Sequence, residues 1–145
     1  ARERAGFPGG ARRIVKSLIV EDEMLSRTLL LEILRPYGTV HAAANGKEAV
    51  EAVRGALLTE QPYQLVCLDI QLPDMDGIAV LKELRLEETR AKLNPRLRAK
   101  VLMTTAASDK ATVVQAIEAG CDGYMLKPYD PDRIAQQLRT FGLIV

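Results

Sequence analysis

Five short apolar runs alternate along the chain with five segments of helical period. The first run, Lys16–Val20, predicts a strand and closes on Glu21-Asp22-Glu23. Leu25, Leu29 and Ile33, joined by Leu30 and Leu34, then recur at i, i+4, which predicts one apolar helix face stopping near Tyr37-Gly38. Thr39–Ala43 predicts the second strand, and the Asn45-Gly46 turn opens a helix carrying Val50, Val53 and Leu57. Gln64–Ile70 is the third strand, unbroken in its apolar character from Leu65 to Leu68, as in a strand covered on both faces. The loop Gln71–Gly77 leads into a helix from about Ile78 to Arg90, and Lys92–Lys100 reads as a polar, basic connection. Val101–Thr104 is the fourth strand. Ser108 is placed to cap a fourth helix bearing Val113, Val114 and Ile117 and stopping at Gly120. Gly123–Leu126 is the fifth strand, and Asp130-Pro131 supplies the N-cap and first turn of a last helix with Ile134, Leu138 and Phe141.

Strict strand–helix alternation requires right-handed crossovers and a parallel sheet covered on both faces. The fold class expected is therefore α/β, a doubly wound five-stranded parallel sheet with five helices. The strand order 2-1-3-4-5 is the known arrangement for such sheets. Ligands in this class bind beyond the carboxyl ends of the strands.

With 145 residues, 48% hydrophobic and 27% charged, the chain has the size and composition of one soluble globular domain. No uncharged apolar run approaches the ~18 residues of a membrane span. The basic first sixteen residues lack the apolar stretch of a secretory signal. Residues 1–13, with Gly6, Pro8, Gly9 and Gly10, read as a flexible arm, a linker or the remnant of a cut, which leaves 14–145 as the domain. The net charge of +1 hides an asymmetry: residues 1–16 carry five basic side chains against Glu3, so the body is three units negative. An acidic body gives no support for a nucleic-acid partner. Cys67 and Cys121 lie in apolar segments, as free thiols do in a reducing cytoplasm. The lone His41 and the absence of paired cysteines exclude a zinc site.

Chemistry gathers at the strand ends. Strand one ends in Glu21 and Asp22, strand three in Asp69, strand four in Thr105-Ala106 and strand five in Lys127-Pro128. Strands one and three are neighbours in the expected order, roughly 4.8 Å apart. Three carboxylates would then share one basin, where like charges resist joint ionisation. A hard dication of the Mg2+ type, with an ammonium from Lys127, relieves that repulsion, and the set suits phosphoryl transfer.

These segments resemble the receiver domain of two-component response regulators, including the single-domain chemotaxis regulator. The resemblance runs from about Arg13 to Phe141 and rests on LIVEDE at Leu18–Glu23, LVCLDIQLPDMDG at Leu65–Gly77, VLMTTA at Val101–Ala106 and GYMLKP at Gly123–Pro128, in that order. It implies a flavodoxin-like fold and a role for each matching residue. Asp69 would accept the phosphoryl group. Mg2+ would be held by Asp22 directly, by Glu21 through water, by Asp69, and by the backbone carbonyl of Gln71. Lys127 would pair with the phosphoryl group, across a Lys-Pro bond that is usually cis. Thr105 and Tyr124 would form the switch. The implied partners are a histidine kinase or phosphotransfer protein and a downstream protein on the fourth helix, strand five and the last helix. The connection before strand four is longer than in compact members, and the variable position two after Thr105 is Ala107.

Other readings compete. A haloacid-dehalogenase-type phosphatase also uses a strand-end Asp and Mg2+, but needs a second Asp where this chain has Gln71. A nucleotide-binding module lacks both G-x-G-x-x-G and a P-loop. A pseudo-receiver that only binds a partner is opposed by the complete acidic, Thr and Lys positions. The domain could equally be a segment of a larger hybrid kinase or transcription regulator. Asp74 and Asp76 read as turn residues, His41 as a strand or surface residue, and Arg90, Lys92, Arg96, Arg98 and Lys100 as a solvated connection.

Overall fold

The computed structural model describes residues 14–106 and 109–145. The expected arm at 1–13, and with it the boundary at residue 14, lies outside the described residues, as do Ala107 and Ser108.

The chain forms β1 (Ser17–Val20), α1 (Met24–Leu34), β2 (Val40–Ala43), α2 (Gly46–Leu58), β3 (Leu65–Asp69), α3 (Gly77–Arg90), β4 (Lys100–Thr105), α4 (Lys110–Glu118), β5 (Gly123–Leu126) and α5 (Pro131–Thr140). All strands pair in parallel, in the order β2-β1-β3-β4-β5. Single 3-10 turns follow α1 at Arg35–Tyr37 and break the basic connection at Pro95–Leu97, the latter capped by Asn94.

Alternation along the strands sends side chains to two cores. Leu18, Val20, Val66, Leu68, Val101 and Met103 meet Ala49 and Val53 of α2, Val80, Leu81 and Leu84 of α3 and Ala116 of α4. Ile19, Leu65, Cys67 and Leu102 meet Leu30 and Leu34 of α1 and Ile134 and Leu138 of α5. Each fully buried aliphatic side chain contributes about 1.5–3 kcal/mol. Burial pushes the Cys67 thiol up to about 12. Cys121, by contrast, is only half-buried.

Helix starts follow the capping chemistry. Asn45 caps α2, Asp76 caps α3 and Asp130 caps α5, each accepting backbone N–H bonds from the first turn. The cap of α4 is Asp109, which accepts from Thr112 N at 2.8 Å, one residue later than the expected Ser108. Arg85 of α3 ties the amino edge of the sheet together. It donates to the carbonyls of Ala99 at 2.9 Å and Gly120 at 2.8 Å, and pairs with Glu88 and Asp122.

Two helix faces differ from the expected stripes. In α1, Leu30 and Leu34 are buried while Leu25 is 75% and Leu29 45% exposed. In α4, Ala116 is the buried residue, and Val114 and Ile117 stand 44% and 60% exposed. The period correctly marked helices, but burial in α1 lies in its second half, and α4 rests on the sheet through one small side chain. The basic set behaves as a solvated connection: Arg90, Lys92, Arg96 and Arg98 are exposed and Lys100 is half-buried.

Candidate functional site

The acidic residues reach the carboxyl edge of the sheet because their strands stop there. Glu21 and Asp22 follow β1, Asp69 ends β3, and Lys127 follows β5. One oxygen each from Glu21, Asp22 and Asp69 lies within 4.8 Å of the others. Glu21 and Asp69 are buried and Asp22 is exposed, at the rim of a cleft of about 330 Å³ that Gln71, Ala106 and Lys127 also line.

Lys127 crosses to both buried acids. Its Nζ lies 2.6 Å from Glu21 Oε1 and 2.9 Å from Asp69 Oδ2. Burial alone would lower its pKa; the bonds to Glu21 and Asp69 outweigh that and hold it above the ordinary lysine value. Its backbone N–H donates to the Thr105 carbonyl at 2.8 Å, and the following Lys127-Pro128 bond is cis. The other Asp69 oxygen accepts the Gln71 N–H at 3.1 Å.

The local backbone is fixed from several sides. Glu23 caps α1; bonds from Ser26 and Leu25 hold its carboxyl below the usual range. Glu23 N in turn donates to Glu21 Oε2 at 3.1 Å. Arg27 grips the carbonyls of Glu21 at 2.8 Å and Asp22 at 3.2 Å. Gly77 packs so closely on β3 that a Cβ there would collide with the Asp69 carbonyl oxygen. Asp74 accepts from the N–H groups of Gly46 and Lys47, so both loop aspartates, 74 and 76, serve backbone donors.

Thr105 is buried and opposes Leu126 in register, one residue beyond the Met103–Tyr124 and Thr104–Met125 pairs. Strand alternation therefore puts Thr105 and Tyr124 on one face of the sheet and Thr104 on the other. The Tyr124 hydroxyl is buried and has no hydrogen-bond partner among the described residues. Burial raises its pKa.

Sequence reasoning passed over Tyr129. Its buried hydroxyl donates to Glu21 Oε1 at 3.0 Å and lies 3.3 Å from Thr104 Oγ1. Burial raises its pKa strongly, so it acts as a donor rather than an anion. The available signal was a tyrosine two residues after Lys127, an aromatic with a polar tip set between Pro128 and Asp130. His41 stands apart, exposed on β2, with Nδ1 2.6 Å from the Tyr63 hydroxyl.

A five-stranded parallel sheet in this order, with an acidic cleft and a lysine at its carboxyl edge, defines the receiver class of signalling domains. The family model of the response regulator receiver domain matches residues 17–139, and the chain belongs to that family, which serves two-component systems. It is 33% identical over 123 residues to the chemotaxis protein CheY of Thermotoga maritima, covering 83% of this chain and 92% of that protein. It is 38% identical over 122 residues to the transcriptional regulatory protein ZraR of Escherichia coli, covering 83% of this chain. The chain spans about a quarter of the length of ZraR, at 25%. In fold it is similar to the receiver domain of the histidine kinase CKI1 from Arabidopsis thaliana complexed with Mg2+ and BeF3−. That likeness has a TM-score of 0.75 at 22% identity and covers 88% of this chain and 89% of that one. No helix among the described residues is long and apolar enough to cross a membrane.

Proposed function

We propose that this chain is a phosphorylation-operated switch. In this reading Asp69 takes a phosphoryl group from the phosphohistidine of a histidine kinase or phosphotransfer protein, in a Mg2+-dependent reaction, and a partner-binding face responds. The observation that carries the reading is the meeting of Asp69 and Glu21 on one ammonium, beside an exposed Asp22. The all-oxygen donor set fits a hard dication, and the Mg2+ and BeF3− of the CKI1 complex support the same reading. Asp22 would hold the ion directly, Glu21 through water, Asp69 by a carboxylate oxygen and Gln71 by its backbone carbonyl. Bound there, a dication supplies charge neutralisation to the transferring phosphoryl group.

A carboxylate oxygen of Asp69 attacks phosphorus. The P–O bond forms as the P–N bond breaks, and its electron pair stays on the donor imidazole nitrogen. Lys127 pairs with the phosphoryl oxygens, and Thr105 donates a hydrogen bond to one of them. Water later attacks phosphorus, the P–O bond to Asp69 breaks with its electron pair returning to the carboxylate, and inorganic phosphate leaves. The domain thus acts as a self-catalysed phosphoacceptor in the cytoplasm rather than a turnover enzyme.

Movement of Thr105 would be sensed by Tyr124 on the same sheet face, as a shift between two populations. The output face would be α4, β5 and α5, where Val114, Ile117 and Leu126 are exposed. The coverage of ZraR supports a second reading for the whole protein, in which this domain is the receiver segment of a larger regulator or hybrid kinase.

Acetyl phosphate with Mg2+ should add one phosphoryl group by intact mass, and Asp69→Asn or EDTA should abolish the addition. An adduct that persists in Asp69→Asn, or forms fully in EDTA, would contradict the proposal. Amide shifts with beryllofluoride test the switch: changes across α4 and β5 should shrink in Thr105→Ala.

A further inference from the structure

Tyr129 follows Lys127 by two residues and is 8% exposed, its ring packed in the core between the sheet and the helices α1 and α5. Its hydroxyl reaches Glu21 Oε1 at 3.0 Å. Thr104, buried in β4 and paired in register with Asp69, lies 3.3 Å behind the same hydroxyl. The one phenolic proton goes to the carboxylate, the stronger acceptor, and the Thr104 hydroxyl can then donate to the phenolic oxygen. Glu21 is 1% exposed, so its position depends on donors supplied by the protein.

Among the described residues those donors are Lys127 and Tyr129 on Oε1 and the Glu23 amide on Oε2. They are not equivalent. Lys127 is shared with Asp69 and, in the reaction proposed above, turns toward the phosphoryl oxygens. The Tyr129 hydroxyl has no second charged partner among the described residues and is anchored from behind by Thr104; Lys127 Nζ meets only the ring, 5.9 Å from its centroid, a contact that phenylalanine would keep. Phenylalanine would fill the same apolar volume; only the hydroxyl reaches the acid.

We infer that Tyr129 is a positioning residue for Glu21, holding its carboxylate toward the cleft both before and after Lys127 is drawn away. The inference rests on the reading of the cleft as a Mg2+ site. A partner that orients a metal-binding carboxylate typically changes metal affinity by about tenfold or more.

The test is a MgCl2 titration of the metal-free chain, followed by the amide resonances of Gln71 and Ala106. The proteins are the parent, Tyr129→Phe, Glu21→Gln and the double variant. Tyr129→Phe should need about tenfold more Mg2+ than the parent. In the Glu21→Gln background the same substitution should change the midpoint little, because the group it positions is gone. Equal midpoints for the parent and Tyr129→Phe would overturn the inference. So would an undiminished tenfold loss in the Glu21→Gln background, since the hydroxyl would then be acting elsewhere. If Tyr129→Phe melts without cooperativity, Thr104→Val replaces it: it keeps the phenol, withdraws its anchor, and should weaken binding in the same direction by less. An unchanged midpoint in Thr104→Val would count against the anchor and the inference together. A parent with no Mg2+-dependent shifts would overturn the metal reading itself, a result distinct from the others.

Discussion

Lys127 is the counter-charge of two buried acids, Glu21 at 2.6 Å and Asp69 at 2.9 Å, with 18% of its own side chain exposed. Removing it strands both carboxylates, so Lys127→Ala should destabilise the metal-free protein by about 2 kcal/mol. Saturating Mg2+ should recover part of that loss by supplying another cation to the same oxygens. Urea melts in EDTA and in MgCl2 measure the difference; an equal loss in both would mean that the lysine acts away from the acids. Glu21, Asp22, Asp69 and Lys127 were legible in the sequence because each directly follows or ends a short apolar run, and parallel topology brings such ends to one edge. Tyr129 was not legible. Its role depends on a hydroxyl reaching an acid 108 positions earlier in the chain, which no local pattern encodes. Arg27 and Gly77 act through contacts with nearby backbone, the carbonyls of Glu21 and Asp22 for one and of Asp69 for the other, which residue type alone does not announce.

At the scale of elements, periodicity located the strands and helices to within a residue or two but did not say what each apolar face meets. The clearest cases are Leu25 in α1 and Ile117 in α4, both apolar in period and both exposed. Ile117→Ser should therefore change unfolding free energy by no more than about 0.5 kcal/mol. Ile134→Ala, in the fully buried stripe of α5, should cost about 2–5 kcal/mol. Similar losses for the two in denaturant melts would mean that α4 is packed more deeply than its burial shows.

The seam between α2 and α3 makes a pH-dependent contribution. Glu87 accepts from Arg54 at 2.8 Å and Arg90 at 3.1 Å, and Arg54 foremost holds its carboxyl below the ordinary 4.5, against the opposing effect of burial. A depressed folded value means stability that is present above the unfolded pKa and lost as pH falls through the folded one. Glu87→Gln should accordingly be less stable than the parent at pH 7, and the gap should close as pH falls below the ordinary 4.5 and through the depressed folded value. A gap that stays constant across that range would exclude the ion pairs as its source.

For the whole molecule, the crossovers place α1 and α5 on one face and α2, α3 and α4 on the other, leaving the carboxyl edge open. The acids stand on that open edge, at the ends of β1 and β3, which are neighbours in space though the paired residues Ser17 and Leu65 are 48 positions apart in the chain. The amino edge carries the opposite design: Arg85 and its carbonyl and carboxylate partners lock the connections entering β4 and β5. The most direct test of this account traps the modified residue after exposure to acetyl phosphate and Mg2+. Borohydride reduces an aspartyl phosphate to homoserine, and peptide sequencing then reads its position. Homoserine should appear at position 69 alone; homoserine at position 22, 74 or 76, or none in a protein that had gained a phosphoryl group, would rule out Asp69 as the acceptor.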